Sequence, residues 1–268
     1  MPEGPELKVL CDGLKNILEN NILSDIEILS GRYLLPEKKP QLLDDLISLL
    51  PLKIKEINVK GKLLYFILEN NWVILNTMGM SGSWTKVFRK HCHIEFTYND
   101  TDKIWFCDPR RFGTIKILKD TTMLEEKLNS LGPDLLSSNI STDYFIQRMK
   151  KHKKKNITKV LMNQSIFSGC GNYIKSESLY RSGISPHNNI ENISDKRLEN
   201  LLIELQSVMS ESYLSQGATI STFYNVQNQK GGFTFQVYGR NKDENGNHII
   251  KEKTPDGRTS HWVKEIQY

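Results

Sequence analysis

The chain begins Met1-Pro2-Glu3-Gly4-Pro5-Glu6. Pro5 suits the first position of a helix and Glu6 suits the positive end of the helix dipole, so the stretch predicts a helix start. If Met1 is removed, Pro2 becomes an N-terminal secondary amine, and an α-amino pKa near ~8 leaves part of it neutral at cellular pH. Such an amine can attack a sugar C1′ and form an iminium intermediate, with the Glu3 carboxyl group available for proton transfer. Helix capping and catalysis both fit these residues, and capping is the commoner role.

The bulk properties narrow the class of protein. The 268 residues suffice for one large domain or two ordinary ones. A net charge of +5 and a pI near 8.8 give a mild bias toward polyanionic partners. No apolar run approaches the ~20 residues of a membrane span, and the acidic start lacks the basic region of a signal peptide. We therefore expect an intracellular, soluble protein.

The cysteines are scattered and form no C-x-x-C pair, which excludes a zinc finger of the usual spacing. We expect free, buried thiols at all four positions, Cys11, Cys92, Cys107 and Cys170. The stretch His91-Cys92-His93 lies in an alternating segment. A strand there would place the two histidines on one face and Cys92 on the other, so a metal site is disfavoured.

Secondary-structure signals change along the chain. A leading helix is predicted by the apolar stripe of Leu7, Leu10, Cys11, Leu14, Ile17 and Leu18. Short apolar or alternating runs between turn residues then predict strands at 22–29, 54–60, 63–68, 72–77, 91–98, 103–107 and 113–118. A short helix at 41–50 interrupts them. Strands of this length and spacing are typical of a β-sandwich or barrel.

From Thr121 onward the periodicity is helical. The predicted helices span 123–129, 142–151, 157–164, 171–182 and 195–214. The chain then returns to strand at 233–238 and ends in a hairpin with strands at 248–253 and 259–265. Thr254-Pro255-Asp256-Gly257-Arg258 predicts its turn, because Pro presets one φ and Gly tolerates a positive φ. We expect a first domain at 1–120, a linker at 121–141, a helical domain at 142–230 and a terminal hairpin at 231–268.

Four further stretches hold residues suited to binding. They are Lys60-Gly61-Lys62, Met78-Gly79-Met80-Ser81-Gly82-Ser83, Asp108-Pro109-Arg110-Arg111-Phe112-Gly113 and Phe167-Ser168-Gly169-Cys170-Gly171-Asn172-Tyr173. Lysines can contact phosphate, an arginine with an apolar wedge can occupy the gap left by an extruded base, and a glycine-rich helix start can bind phosphate. Each stretch also has an ordinary interpretation as a solvated edge, a turn or a helix cap.

Taken in this order, the motifs resemble those of the formamidopyrimidine-DNA glycosylase/endonuclease VIII family of base-excision repair enzymes. The resemblance covers essentially the full length and includes Val237-Tyr238-Gly239-Arg240 and Gly257-Arg258. It implies an α+β multidomain fold with an N-terminal two-layered β-sandwich and a leading helix. The C-terminal helical domain would carry a helix–two-turns–helix motif and a β-hairpin finger.

The resemblance implies a set of catalytic residues. Pro2 corresponds to the nucleophile, Glu3 to the proton donor and Glu6 to a supporting acid. Lys62 corresponds to a lysine that contacts DNA phosphate during elimination, and Arg258 to the finger-tip arginine that grips phosphate at the lesion. For Pro2 to act, the active protein must lack Met1.

It also implies residues that bind DNA without entering the chemistry. Met80, Arg110 and Phe112 correspond to the residues that fill the void left by the flipped nucleotide. Asn172 corresponds to the asparagine of the helix–two-turns–helix motif that binds phosphate, and Lys159 to a lysine near it.

One departure from the family concerns the finger. Most relatives hold it with four cysteines on zinc, whereas no cysteine follows Cys170 here. The chain therefore resembles endonuclease VIII-like enzymes with a zincless finger. An isolated hairpin is marginal in water, so we expect this one to dock on the helical domain through Ile249, Ile250, Trp262 and Val263.

The function implied is that of a bifunctional DNA glycosylase and abasic-site lyase that acts by β,δ-elimination. It would need no metal and no organic cofactor, act as a monomer, and bind damaged double-stranded DNA, with single-stranded DNA left open. Oxidised pyrimidines and hydantoins are the expected substrates, and 8-oxoguanine or formamidopyrimidines are the alternative. A non-catalytic lesion-binding protein and a metal-dependent nuclease are the competing classes; the absence of clustered carboxylates disfavours the nuclease.

Overall fold

The leading helix α1, Gly4–Leu18, starts at the position that the acidic stretch predicts. Pro5 lies in its first turn, and the backbone N–H of Glu3 donates to Oε2 of Glu6 at 2.8 Å. The predicted apolar stripe is buried at Leu7, Leu10 and Leu14. Helix entry at residues 3–6 is therefore fixed by local chemistry and by packing of one apolar face.

An antiparallel sheet follows α1. Its strands are β1 Ile22–Ile28, β2 Leu52–Lys60, β3 Leu63–Leu68, β4 Val73–Thr77, β5 Ser83–Thr85, β6 Cys92–Tyr98, β7 Asp102–Cys107 and β8 Thr114–Leu118. The strand order is β5-β7-β6-β1-β2-β3-β4-β8. The short helix α2, Leu43–Ile47, lies between β1 and β2. Sequence analysis located every strand except β5, which at 3 residues is too short to show alternation.

The sheet forms two layers that face each other. Strands β1 and β2 pair over only two positions, Ile22↔Lys53 and Leu23↔Leu52, and this short pairing is the junction between the layers. Strand β3 lies on one side of this junction, and β5 and β6 lie on the other. The centre of the Phe66 ring in β3 is 5.8 Å from that of Trp84 in β5 and 6.0 Å from that of Phe96 in β6. All three rings are almost fully buried, so they form the centre of the sandwich core. The predicted β-sandwich is confirmed.

The computed structural model describes residues 1–220 and 223–268 and divides the chain into two compact units. Unit 1 comprises residues 1–130 and 216–232, and unit 2 comprises residues 131–215 and 233–268. This division differs from the domains expected from sequence. Helix α3, Thr121–Asn129, belongs to unit 1, where Lys60 Nζ donates to the Leu128 carbonyl at 2.8 Å.

Unit 2 contains α4 Thr142–Lys150, α5 Ile157–Met162, α6 Asn172–Arg181 and α7 Asp195–Leu214. Ser141, Asn156 and Ser194 cap α4, α5 and α7 by accepting a backbone N–H. Helix α7 packs against α4 and α6. None of the helices formed by residues 1–220 and 223–268 is long and apolar enough to cross a membrane.

The terminal hairpin consists of β9 Ile250–Lys253 and β10 Thr259–Trp262. Val237, Ile249 and Val263 form a buried cluster, against which Tyr180 of α6 packs. The hairpin therefore docks on the helices of its own unit, as expected from its small size.

The predicted strand at 233–238 does not form. Instead, the backbone N–H groups of Gln236, Val237 and Tyr238 donate to the Glu177 carboxylate of α6 at 2.8, 3.0 and 2.7 Å. A carboxylate thus takes the place of a strand partner. Burial raises the pKa of Glu177, although these three N–H groups oppose the shift.

Two expectations about cysteine and histidine were wrong. Cys92 and Cys107 are opposite each other on β6 and β7 and form a disulfide, whereas Cys11 and Cys170 are free and buried as expected. The two histidines do not share a strand face. His91 precedes β6 and has φ +70°. The register of β6 with β7 shifts between Cys92 and Ile94, and His93, which lies between them, is buried.

Candidate functional site

The amino terminus of unit 1 is enclosed. Pro2 is buried, and the Glu3 and Glu6 side chains are 2% and 0% exposed. The Glu6 carboxylate accepts the Glu3 N–H through Oε2 and the Ala218 N–H through Oε1, the latter at 2.9 Å. These bonds fix Glu6 beneath the first residues of the chain, where it orients Glu3.

Several charged side chains lie close enough to the terminal amine to affect its pKa. Burial lowers the pKa of the Met1 amine below its ordinary value, because removal from water disfavours the ammonium form. Glu3 and Glu6 oppose this shift, whereas the positive charges of Lys62 and Arg110 add to it. The structure therefore brings five of the predicted site residues together around the amino terminus: Pro2, Glu3, Glu6, Lys62 and Arg110.

Lys62 reaches this position through a tight hairpin. Lys60 and Leu63 pair at the end of β2 and the start of β3, which leaves Gly61 and Lys62 as the two turn residues. Gly61 adopts φ +58°, a conformation that glycine takes without steric cost. The turn presents the partly buried Lys62 side chain from a rigid element.

The loops that carry Met80, Arg110 and Phe112 lie against each other. A Cβ built on Gly79 would stand 2.5 Å from the Phe112 carbonyl carbon, so only glycine allows this approach. Phe112 is 55% exposed, and the Arg110 guanidinium lies 5.3 Å from the centre of its ring. An exposed aromatic ring with an adjacent cation and a flexible methionine forms a surface suited to stacking against bases.

A buried carboxylate holds these two loops in place, and sequence analysis did not identify it as a site residue. Asp108 accepts the Ser81 hydroxyl at 2.6 Å and the Gly113 N–H at 2.7 Å. The Ser81 hydroxyl in turn accepts the Arg110 N–H at 3.0 Å. Ser81 and Asp108 each lie in a motif identified from the sequence. The spacing of residues within those motifs does not indicate that the two motifs contact each other.

Beneath Asp108, the buried His93 ring braces the same loop. Its Nε2 lies 3.0 Å from the Asp108 carbonyl oxygen, and its Nδ1 lies 2.8 Å from Oγ of Ser30. Burial lowers the pKa of His93, which favours the neutral ring. His93 therefore supports the loop structurally, rather than acting as the strand-face residue that the alternating pattern indicated.

Unit 2 presents a second group of predicted residues. Asn172 is the first residue of α6, and its Nδ2 donates to the Thr259 carbonyl of β10 at 2.9 Å. Its Oδ1 is buried without a hydrogen-bond partner among the described residues. The loop before α6 is organised by Gln164, which accepts the Gly169 N–H and donates to the Cys170 carbonyl.

The predicted turn at the hairpin tip is confirmed. The Thr254 N–H donates to the Arg258 carbonyl at 3.0 Å, and Gly257 adopts φ +77°. Arg258 is exposed beside Thr259, the residue that contacts Asn172. Lys159 is exposed on a different helix, α5. The structure thus places Asn172 and Arg258 at neighbouring positions, with Lys159 elsewhere in the unit.

No cysteine follows Cys170 in the sequence, so the hairpin has no thiolate with which to bind zinc. Within residues 1–220 and 223–268, no three His, Cys, Asp or Glu side chains are grouped so that they could hold a metal ion. The finger is held instead by the Val237 cluster and by the Glu177 carboxylate.

Comparison with known proteins gives the class and the family. The fold matches that of DNA glycosylases. MutM (Fpg) from Thermus thermophilus aligns with a TM-score of 0.87 at 24% identity over 99% of this chain and 98% of that one. A Lactococcus lactis Fpg bound to abasic-site DNA aligns with a TM-score of 0.86 at 21% identity over 99% of both chains.

Sequence comparisons are more specific. Residues 1–115 match the formamidopyrimidine-DNA glycosylase N-terminal domain, and residues 131–224 match the H2TH domain of the same family. Formamidopyrimidine-DNA glycosylases of Rickettsia felis and Rickettsia conorii are 30% and 31% identical, covering 100% of this chain and 99% and 100% of theirs. The chain belongs to the formamidopyrimidine-DNA glycosylase/endonuclease VIII family.

Proposed function

We propose that this protein is a bifunctional DNA glycosylase and abasic-site lyase of base-excision repair, which uses the Pro2 amine as its nucleophile. Family membership supports the glycosylase step. The observation that carries the lyase step is the buried amino terminus beside Glu3 and Glu6, where desolvation lowers the pKa of the Met1 amine. We expect the same burial to lower the pKa of the Pro2 amine once Met1 is removed. A neutral amine has a free lone pair, which a nucleophile requires. The protein would act inside the cell, where its DNA substrate lies.

The chemistry starts after removal of Met1. The Pro2 nitrogen forms a bond to C1′, the damaged base leaves as its nitrogen takes a proton, and the former N–H proton of Pro2 is lost. Glu3 donates a proton to O4′ as the C1′–O4′ bond breaks, which leaves an iminium between Pro2 and C1′. The Glu6 carboxylate keeps Glu3 in place through the Glu3 N–H.

The iminium makes the C2′ proton acidic, so its removal expels the 3′ phosphate by β-elimination. A second proton loss, at C4′, then expels the 5′ phosphate by δ-elimination. The leaving phosphates carry negative charge, and Lys62 in unit 1 and Arg258 in unit 2 are the cations proposed to stabilise it. The sequence of steps uses no metal ion or organic cofactor.

Base extrusion precedes this chemistry. Unstacking costs a few kcal/mol and is cheaper for a damaged base. We assign Met80, Arg110 and Phe112 to the void that the extruded nucleotide leaves, because their two loops are braced together at Gly79 and Asp108. Asn172 and Lys159 are assigned to phosphate contacts that position the DNA.

For the damaged base, we propose oxidised pyrimidines, such as thymine glycol and dihydrouracil, together with hydantoins. The absence of cysteine from the finger supports this choice, because it resembles the finger of endonuclease VIII-like enzymes. The alternative, 8-oxoguanine and formamidopyrimidines, is favoured by the names of the Rickettsia relatives. A panel of these lesions in single- and double-stranded oligonucleotides decides between them: faster excision of the purine lesions would overturn the pyrimidine proposal.

Two variants test the assigned chemistry against a non-catalytic, lesion-binding role. In the Met1-free protein, Pro2→Gly replaces the secondary amine with a primary one, whose imine is cationic only when protonated, and Glu3→Gln removes the proton donor. Each variant should therefore cleave an abasic site more slowly than wild type while still binding the duplex. Unchanged cleavage in either variant contradicts the assignment. Wild-type cleavage in the presence of EDTA is expected, and its loss would instead favour a metal-dependent nuclease.

A further inference from the structure

A fully buried ion pair connects the helix–two-turns–helix motif to the finger. Lys175 Nζ of α6 lies 2.6 Å from Oδ2 of Asp256 in the hairpin turn, and the two side chains are 0% and 2% exposed. Both groups belong to unit 2. Burying two charges is costly unless their geometry and hydrogen bonds compensate, so this pair restricts where the finger tip can lie.

Asp256 organises the turn that presents Arg258. While Oδ2 faces Lys175, Oδ1 accepts the Thr254 hydroxyl at 2.6 Å and lies 3.4 Å from the Arg258 N–H. Burial alone would raise the pKa of Asp256, but hydrogen bonds from Lys175 and Thr254 outweigh burial and hold that pKa below its ordinary value. One ionised carboxylate thus links α6 to the backbone that carries the tip arginine.

Lys175 lies on the side of α6 that faces the finger. Asn172, Lys175 and Ser176 are spaced i, i+3 and i+4, so they share one helix face. Asn172 donates to the Thr259 carbonyl at 2.9 Å, and the His261 N–H lies 3.4 Å from the Ser176 hydroxyl. Two proposed phosphate contacts, Asn172 and Arg258, therefore flank the ion pair on a single scaffold.

We propose that the Lys175–Asp256 ion pair is a positioning device that sets Arg258 against the DNA phosphate at the lesion. The proposal rests on the proposed lyase function. Lys175 itself is fully buried and cannot reach DNA, so any effect of Lys175 on DNA binding must pass through the finger. A misplacement of about 1 Å in such a contact can cost roughly a hundredfold in rate.

The first test is the salt dependence of binding to a duplex that contains an uncleavable tetrahydrofuran abasic analogue. Loss of one phosphate contact reduces the slope of log Kd against log salt by about 1. Lys175→Met should show this reduction although it removes no exposed charge. Lys264→Met, a matched change at an exposed lysine of the same unit, is the control for overall charge. A wild-type slope in folded Lys175→Met overturns the proposal.

The second test separates positioning from stability. Lys175→Met alone leaves a buried, uncompensated carboxylate and should lower the Tm. Lys175→Met/Asp256→Asn removes both charges, and the introduced amide keeps an oxygen for Thr254, so its Tm should return toward the wild-type value. Even at saturating DNA, we expect this double variant to cleave the abasic site roughly tenfold to a hundredfold more slowly than wild type. Cleavage restored together with Tm would show that the pair is only structural.

A mutant cycle with Arg258 completes the experiment. Arg258→Ala should slow cleavage roughly a hundredfold in the wild-type background, but less than about threefold in the Lys175→Met background, because the contact is already lost there. A full-size effect in both backgrounds overturns the inference and leaves the proposed lyase intact. A wild-type protein that does not cleave refutes the proposed function instead, while the salt slope still tests the positioning role.

Discussion

Gly79 lies directly against the backbone of Phe112: a Cβ at Gly79 would stand 2.5 Å from the Phe112 carbonyl carbon. Gly79 also adopts φ +56°, in the left-handed region. Two loops that are far apart in sequence therefore approach closely through one glycine. This contact unites the three residues proposed to fill the void beside a flipped nucleotide.

Gly79→Ala should disturb both the fold and DNA binding. The left-handed conformation and the clash together predict a loss of about 2–5 kcal/mol in the free energy of unfolding. Gly239→Ala is the matched control, because Gly239 has φ +78° but no atom within 4 Å of the added Cβ, and strain alone predicts about 1–2 kcal/mol. Urea denaturation measures both, and equal losses would show that the loop contact contributes nothing.

Asp108 should matter through its two hydrogen bonds. Asp108→Ala leaves the buried Gly113 N–H and the Ser81 hydroxyl without their acceptor, which predicts a loss of about 2–4 kcal/mol and weaker binding to abasic-site DNA. Asp108→Asn retains an acceptor oxygen and should lose only about 1 kcal/mol. Denaturation and DNA-binding titrations check both values; similar effects of the two changes would contradict the role assigned to this carboxylate.

Glu6 should be needed for the structure of the amino terminus. Glu6→Ala removes the acceptor of the Glu3 and Ala218 N–H groups, so two buried donors lose their partner and a loss of about 2–4 kcal/mol follows. Glu6→Gln keeps one carbonyl oxygen and should lose about half as much. Thermal denaturation provides the comparison, and an alanine variant as stable as wild type would refute this account of the terminus.

The stability of unit 2 should depend on pH through His261. Burial lowers the pKa of His261 to about 4, whereas an unfolded histidine has its pKa near 6.5. The unfolded chain then binds more protons between these values, so this contribution is fully present above about pH 6.5 and is lost as the pH falls toward 4. At most about 3 kcal/mol is involved. Denaturation of wild type between pH 4.5 and 7 should show this slope, and His261→Asn should reduce it; identical slopes would contradict the prediction.

Local chemistry made most of the fold predictable. Helix α7, Asp195–Leu214, and strand β3, Leu63–Leu68, have the predicted bounds because their apolar periodicity and end signals agree. The segment 233–238 has a strand-like composition, but it forms no strand because its backbone binds the Glu177 side chain. Glu177 is distant in sequence, so no local pattern reveals this contact. The same limit applies to the Cys92–Cys107 disulfide, which depends on strand register.

The candidate site likewise contains residues that the sequence identifies and residues that only the structure identifies. The residues proposed to supply reactive groups, such as Pro2, Glu3 and Arg258, lie in recognisable motifs. Residues that hold those motifs in position, such as Asp108 and Lys175, act through contacts between distant segments. Their residue types are ordinary for a turn and for a helix, so only the assembled structure indicates what they do.

Borohydride trapping tests the central claim most directly. Protein whose intact mass shows that Met1 has been removed is mixed with abasic-site duplex DNA and sodium borohydride. The account predicts a covalent protein–DNA adduct whose peptide map places the DNA on Pro2. Protein that retains Met1 should give no adduct on Pro2, because its Pro2 nitrogen is an amide. The absence of an adduct from the Met1-free protein, or an adduct on a lysine instead, would contradict it.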